Sequence, residues 1–115
     1  MTNREKLRAR YLRDAVPVRL GGLAATLARI SSSARDASSP AVVANLLDEA
    51  KHLIEWTAVE TSPDVATELV QMQRLIVLWE RAWSTACQEP SQRVLLSAQA
   101  KAWSNKALEA SGLMG

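Results

Sequence analysis

The chain has 115 residues, 48% of them hydrophobic and 23% charged, and a formal net charge of +2 at pH 7. This length predicts one domain, and the composition is that of a globular protein rather than a fibrous or disordered one. The longest strictly apolar run, at 75–79, is far shorter than the roughly 20 residues of a membrane-spanning helix, so we predict a soluble protein. The single cysteine, Cys87, cannot form an internal disulfide, which favours a reducing, cytoplasmic location.

Prolines divide most of the chain into segments of helical length. Residues 1–14, which precede them, are rich in charge around one apolar stripe and predict a short basic helix. Proline suits the first turn of a helix because the amide hydrogen that it lacks would be unpaired there, and Ser39 and Ser62 are candidate N-caps. Starting from Pro17, Pro40, Pro63 and Pro90, we predict further helices over 15–35, 40–59, 62–89 and 91–111.

The segment 62–89 carries the clearest amphipathic pattern. Its apolar residues recur at alternating spacings of four and three, which is the spacing of one helical face. Around 75–79 the apolar residues extend to every side, and a helix that is apolar on all sides is buried on all sides. We therefore expect this helix either at the centre of the fold or shared with a second subunit, depending on whether Leu75, Val77 and Leu78 are buried. The face itself comprises Val65, Leu69, Met72, Ile76, Trp79, Trp83 and Ala86.

Two other segments carry small residues on one face. In 15–35, Gly21 and Gly22 each cost up to about 1 kcal/mol relative to alanine inside a helix. Together with Ala25 and Ala28 they predict close approach of another backbone, and the alternative is a break between two helices. The segment 91–111 has a mostly alanine face around Trp103, which suits packing against the bulky face of 62–89. The fold class that follows is all-α: an up-and-down antiparallel four-helix bundle in a single domain, 1–115, with a short basic N-terminal helix.

Charge is distributed unevenly along the chain. Residues 1–35 contain eight basic and two acidic side chains, whereas the remainder contains six basic and ten acidic ones. A basic segment at 4–19 can neutralise nucleic-acid phosphates, meet an anionic lipid surface or an acidic partner, or pair with the acidic part of the same protein. The segment contains no helix-turn-helix, zinc-finger or RNP motif. Its basic residues are Arg4, Lys6, Arg8, Arg10, Arg13 and Arg19.

Few residues suggest chemistry. Glu49 and His52 form a Glu-x-x-His pair, the spacing found in di-iron carboxylate bundles, but such a site needs two of these motifs and the chain has one histidine. The pair is equally typical of the polar edge of an amphipathic helix. Cys87 is either a reactive thiol or a small apolar residue of the core. We therefore predict no catalytic set, no cofactor and no metal, with Glu49 and His52 as the only metal candidates.

The tryptophans have three possible roles: core, subunit interface or ligand pocket. Of these, the core is the commonest role for such a cluster, and an interface is the next alternative. The excess of apolar surface on 62–89 is a separate reason to expect a subunit interface. Its candidate residues are Leu75, Leu78, Trp79, Trp83 and Trp56.

Two stretches carry a resemblance to a known group of proteins. The sequences YLRDAVPVRLGGLA at 11–24 and IEWTA at 54–58 are similar to those of small uncharacterised all-α proteins of cyanobacterial type. The resemblance implies a bacterial origin and an all-α fold, and it brings no catalytic residues. The helical periodicity, the excess of apolar surface on 62–89, the small-residue face of 15–35 and the lack of a catalytic set are the basis of our functional prediction. We predict a non-enzymatic helical protein–protein interaction module with a regulatory or scaffolding role, acting as a homodimer. The alternative is nucleic-acid binding through 4–19.

Overall fold

The computed structural model describes residues 2–112, and these form five α-helices with no β-strand among them. The all-α prediction is therefore confirmed. The helices, in chain order, are α1 (Asn3–Arg13), α2 (Val16–Ala34), α3 (Pro40–Ala58), α4 (Pro63–Ala86) and α5 (Pro90–Ser111).

The helix ends follow local sequence signals. Proline occupies the first turn of each helix from α2 to α5, as predicted. Ser62 caps α4 by accepting a hydrogen bond from the Val65 amide at 3.4 Å, whereas Ser39 makes no such bond to α3. Ser39 occupies the N-cap position of α3, as predicted, but its hydroxyl donates to Asp36 at 3.1 Å within the preceding turn, so the predicted side-chain capping bond is not formed. Gly112 ends α5 in the left-handed conformation, φ 69°, that favours glycine.

The helices pack in the order α5, α2, α3, α4, so that α2 and α3 are the inner pair. Hydrogen bonds join α3 to α4: Lys51 donates to Glu80 at 2.9 Å, the Gln73 side chain donates to the Lys51 carbonyl at 3.1 Å, and the Trp83 indole donates to the Pro40 carbonyl at 2.9 Å. Contact between α4 and α5 is sparse, and one of its links is the Trp79 indole donating to Gln99 at 2.7 Å. The helix at 62–89 is therefore not central, and it is not the main partner of the helix at 91–111, so both of these expectations are wrong. A four-helix bundle in which every helix packs on two neighbours is not confirmed.

The close helix pair is α2 with α5. Their serine hydroxyls bond directly to backbone carbonyls of the other helix: Ser104 to Ala24 at 2.8 Å, Ser31 to Ser97 at 2.8 Å, and Ser97 to Ser31 at 2.7 Å. Pairing of 24 with 104 and of 31 with 97 shows that the two helices are antiparallel. Buried alanines between them, such as Ala24 and Ala100, leave room for this approach.

The predicted break at Gly21 and Gly22 is wrong, because α2 is continuous through both residues. The predicted close approach of another backbone is wrong for Gly22, since no backbone atom of another element lies within 4 Å of a Cβ placed there. Gly22 is exposed, and a methyl group added there would lie 3.8 Å from the ring of Tyr11. Ala25 and Ala28 are also exposed. The face of α2 that approaches α5 is the neighbouring one, which contains Ala24.

The short helix α1 docks on the fold through Tyr11. The Tyr11 hydroxyl donates to the Arg19 carbonyl at 2.8 Å and accepts from the Thr57 hydroxyl at 2.9 Å, so it links α1 to α2 and α3. Its ring also packs against Trp56, with the ring centroids 6.1 Å apart. Burial raises the pKa of the Tyr11 phenol, which keeps this hydroxyl protonated as the donor to Arg19.

Candidate interaction surfaces

The outer face of α4 exposes large apolar side chains. Leu75 is 43% exposed and Leu78 is 58% exposed, while the core residues of α4 lie on the other side of the same helix. With Trp79, Ala82 and Gln99, these leucines line an open cleft of about 250 Å³ on α4, bounded by Gln99 of α5. Leu95, one turn before Gln99 on α5, is exposed as well. We call the surface formed by Leu75, Leu78, Trp79, Ala82 and Leu95 the α4 face.

Basic residues border the α4 face on one side. Arg74 lines a second shallow groove of about 310 Å³ together with Gln73, Val77 and Leu78. Arg81 follows Arg74 by seven residues and therefore lies on nearly the same side of α4. Both arginines are exposed and have no ion-pair partner among residues 2–112. Neither arginine was predicted as a site residue, although their seven-residue spacing beside Leu75 and Leu78 is visible in the sequence.

The four tryptophans do not form one cluster. Trp83 and Trp103 belong to the core, and the Trp83 indole donates to the Pro40 carbonyl at 2.9 Å. Trp79 is half-buried beside Trp83, with their ring centroids 6.4 Å apart. Trp56 lies instead on α3 between Tyr11 and His52. Of the predicted interface residues, the structure therefore brings Leu75, Leu78 and Trp79 together and places Trp83 and Trp56 elsewhere.

The predicted basic segment divides into paired and unpaired residues. Arg19 is buried, where it donates to the Asp14 carbonyl at 2.8 Å and to Glu60 at 2.5 Å, so it does not belong to the exposed basic surface. The hydrogen bond from Arg19 to Glu60 lowers the pKa of the Glu60 carboxyl. Arg4 pairs with Asp48 on α3. The unpaired basic residues in the described part of this segment are exposed, and they comprise Lys6, Arg8, Arg10 and Arg13.

Glu49 and His52 line an open groove of about 620 Å³ between α1 and α3. Within residues 2–112 no group of three or more His, Cys, Asp or Glu side chains is placed to hold a metal ion. His52 is occupied by neighbours: its Nδ1 donates to the Asp48 carbonyl at 2.7 Å and its Nε2 accepts from Arg4 at 2.5 Å. Burial alone would raise the pKa of Asp48, but hydrogen bonds from Arg4 and Lys51 lower it overall. These contacts are those of a surface ion-pair network.

Cys87 lies at the C-terminal end of α4 and is half-buried. Its thiol is 3.5 Å from the Ser84 carbonyl oxygen, a contact within its own helical turn. The side chain also packs at the edge of the hydrophobic core. The structure therefore places Cys87 where a small apolar residue fits.

No protein-family model, curated protein or solved structure matches this chain. The resemblance to small all-α proteins of cyanobacterial type thus stays a prediction. No helix within residues 2–112 has the length and apolar character needed to cross a membrane.

Proposed function

We propose that the protein is a non-enzymatic helical interaction module that forms a homodimer through the α4 face, in a regulatory or scaffolding role. The observation that carries this proposal is the exposure of Leu75 and Leu78 next to the cleft between α4 and α5. Contiguous exposed apolar patches on folded domains mark interaction sites more often than isolated apolar residues do. The proposed site is a surface rather than an enclosed pocket, which suits a protein partner better than a small molecule.

The spacing of residues along α4 supports a second copy as the partner. Gln71, Leu75, Leu78 and Ala82 follow one another at spacings of four, three and four, which read the same in both directions. In an antiparallel pair of α4 helices, Leu75 of one copy would therefore lie opposite Leu78 of the other, and the contact would repeat about the two-fold axis. An up-and-down four-helix arrangement gives each helix two helical neighbours, but α5 makes few contacts with α4. We propose that pairing with a second copy supplies the second neighbour of α4.

The energies favour association despite the arginines. Full burial of a leucine side chain contributes about 1.5–3 kcal/mol, so burying the exposed half of each leucine contributes about 1 kcal/mol. An antiparallel pair brings Arg74 of one copy near Arg81 of the other, and like-charge pairs at exposed positions cost only about 0.5 kcal/mol. A stable interface needs about 800 Å² per partner, so neighbouring apolar residues such as Val70 and Leu95 must also be covered. The dimer should be strengthened by salt, because salt screens the arginine repulsion.

Sedimentation equilibrium over a concentration series tests this proposal. We expect the parent protein to approach twice its 12.6 kDa chain mass. The paired change Leu75→Glu and Leu78→Glu should leave a helical monomer, because two carboxylates per chain would be desolvated at the interface. Val59→Glu is the matched control, since Val59 is highly exposed in the turn between α3 and α4, and it should dimerise normally. A monomeric parent at every concentration, or a paired variant that dimerises like the parent, would contradict the proposal.

We propose nucleic-acid binding through α1 as the second candidate function. It is supported by the unpaired, exposed state of Lys6, Arg10 and Arg13 on the side of α1 away from Tyr11. These cations can neutralise phosphates without any loss of the contacts that dock α1. Changing all three to glutamine should abolish a mobility shift of duplex DNA or RNA at low salt, whereas Lys106→Gln on the exposed part of α5 should not. Absence of any shift by the parent at low salt would eliminate this candidate.

A further inference from the structure

A groove of about 520 Å³ lies between α2 and α5, and none of its lining residues belongs to the α4 face or to α1. It is lined by small side chains, among them Ala28 and Ala98, and by two cations, Arg35 and Lys101. No carboxylate is among the described residues that line it, which are Ala28, Ser31, Ser32, Arg35, Ser97, Ala98 and Lys101.

A buried hydroxyl fixes the direction of Arg35. The Arg35 Nε donates to the Ser97 hydroxyl oxygen at 2.9 Å, and Ser97 is only 2% exposed. The Ser97 hydroxyl in turn donates to the Ser31 carbonyl at 2.7 Å, so its position is set by the close pairing of α2 and α5. The two Nη groups of Arg35 are left without a hydrogen-bond or ion-pair partner among residues 2–112. An arginine held by Nε with its Nη groups free is preorganised to bind an oxyanion.

The nearest acidic side chain in sequence is already occupied. Asp36 accepts hydrogen bonds from the Ser38 hydroxyl at 2.6 Å and the Ser38 amide at 2.9 Å, and these bonds lower the pKa of its carboxyl. It therefore stabilises the turn after α2 rather than neutralising Arg35. Lys101 lies one helical turn beyond Ser97 on α5, is exposed, and has no ion-pair partner within the described chain.

We infer that this groove binds the phosphate group of a small phosphate monoester. A monoester carries a charge of about −1.5 to −2 at pH 7, which matches the two cations that line the groove. Its oxygens can accept from the Arg35 Nη groups and from Lys101, while the groove volume leaves space for a small organic group over Ala28 and Ala98. This inference is independent of the proposed dimer, which uses a different surface.

The inference is tested by titrating the protein with inorganic phosphate and with phenyl phosphate while recording amide NMR spectra at constant ionic strength. Both probes should shift the amides of Ser31, Ser32 and Lys101, and phenyl phosphate should bind more tightly because its ring covers the alanines. Lys101→Gln should weaken phosphate binding about tenfold, as expected for loss of one charge-assisted contact. Lys106→Gln, an exposed change on the same helix outside the groove, should have no effect.

Ser97 is a positioning residue in this account, and it has its own readout. Ser97→Ala should weaken phosphate binding, and Ser97→Thr, which keeps the hydroxyl, should restore it. A thermal unfolding curve for each variant separates a binding defect from a folding defect. The inference is overturned if phosphate shifts no groove amide, if Lys101→Gln and Lys106→Gln bind phosphate equally, or if chloride at equal ionic strength produces the same shifts.

Discussion

Trp83→Ala is expected to lower the free energy of unfolding by about 3–5 kcal/mol, the range found for removing a large aromatic side chain from a core. Trp83 is 4% exposed, and its indole donates to the Pro40 carbonyl at 2.9 Å. This hydrogen bond links the C-terminal part of α4 to the first residue of α3. The change would leave a cavity between these helices and remove the hydrogen bond from the indole to the Pro40 carbonyl. Urea unfolding, followed by circular dichroism, measures the loss.

The Leu75→Glu and Leu78→Glu variant is the right background for this measurement, because dimer formation adds concentration-dependent stability. Val59→Ala in the same background is the control, and it should change the free energy of unfolding by no more than about 0.5 kcal/mol because Val59 is 86% exposed. Trp83→Phe keeps most of the apolar volume, so it should lower the free energy of unfolding by less than Trp83→Ala. It takes the place of Trp83→Ala if the alanine variant does not fold. Unchanged stability in this background, together with a loss of dimerisation when Trp83→Ala is made in the parent chain, would show that Trp83 belongs to the interface and that its core placement is wrong.

The second large effect is expected at the contact between α2 and α5. Ala24→Leu should destabilise the protein by about 1–3 kcal/mol, because the larger side chain overpacks a site that cannot expand freely. Ala24 is 2% exposed, and its carbonyl accepts the Ser104 hydroxyl at 2.8 Å. Separating the helices to admit a leucine would stretch this bond and the paired bonds between Ser31 and Ser97. Urea unfolding and hydrogen exchange of the α5 amides both report the change.

Ala25→Leu is the matched control for Ala24→Leu. Ala25 is the next residue of the same helix, so a change to leucine alters helix propensity by the same amount, but the Ala25 side chain is exposed. Its stability should stay within about 0.5 kcal/mol of the parent value. If Ala24→Leu and Ala25→Leu lower the free energy of unfolding equally, the close approach of α2 to α5 is not the cause of the loss.

The helices could be predicted from the sequence because their signals are local. Proline in the first turn and apolar residues at spacings of three and four act within one segment, and they located α2 to α5. The arrangement of the helices depends on which of their faces pack together, and the spacing of apolar residues within one segment does not determine that. The alanine face of 91–111 suited a bulky partner such as 62–89, yet α5 lies on α2, because its serines bond to α2 carbonyls across a narrow gap.

The candidate surfaces were predictable to different degrees. Excess apolar surface at 75–79 indicated an interface, and exposure of Leu75 and Leu78 is consistent with it. The basic segment was visible as a run of charges, but burial of Arg19 with Glu60 depends on a contact between residues 41 apart in sequence. The groove at Arg35 and Lys101 was invisible for the same reason, since its residues come from helices far apart in the chain.

Pulsed electron–electron spin resonance on a chain with one spin label tests the homodimer at the α4 face most directly. The label is attached at Arg81→Cys in a Cys87→Ser background, so each chain carries one. We expect a short distance between the labels of two copies, because packed helices lie about 8–10 Å apart, and a longer one from a label at Val59→Cys. Absence of dipolar coupling at high protein concentration, or a shorter distance from position 59 than from position 81, would contradict the account.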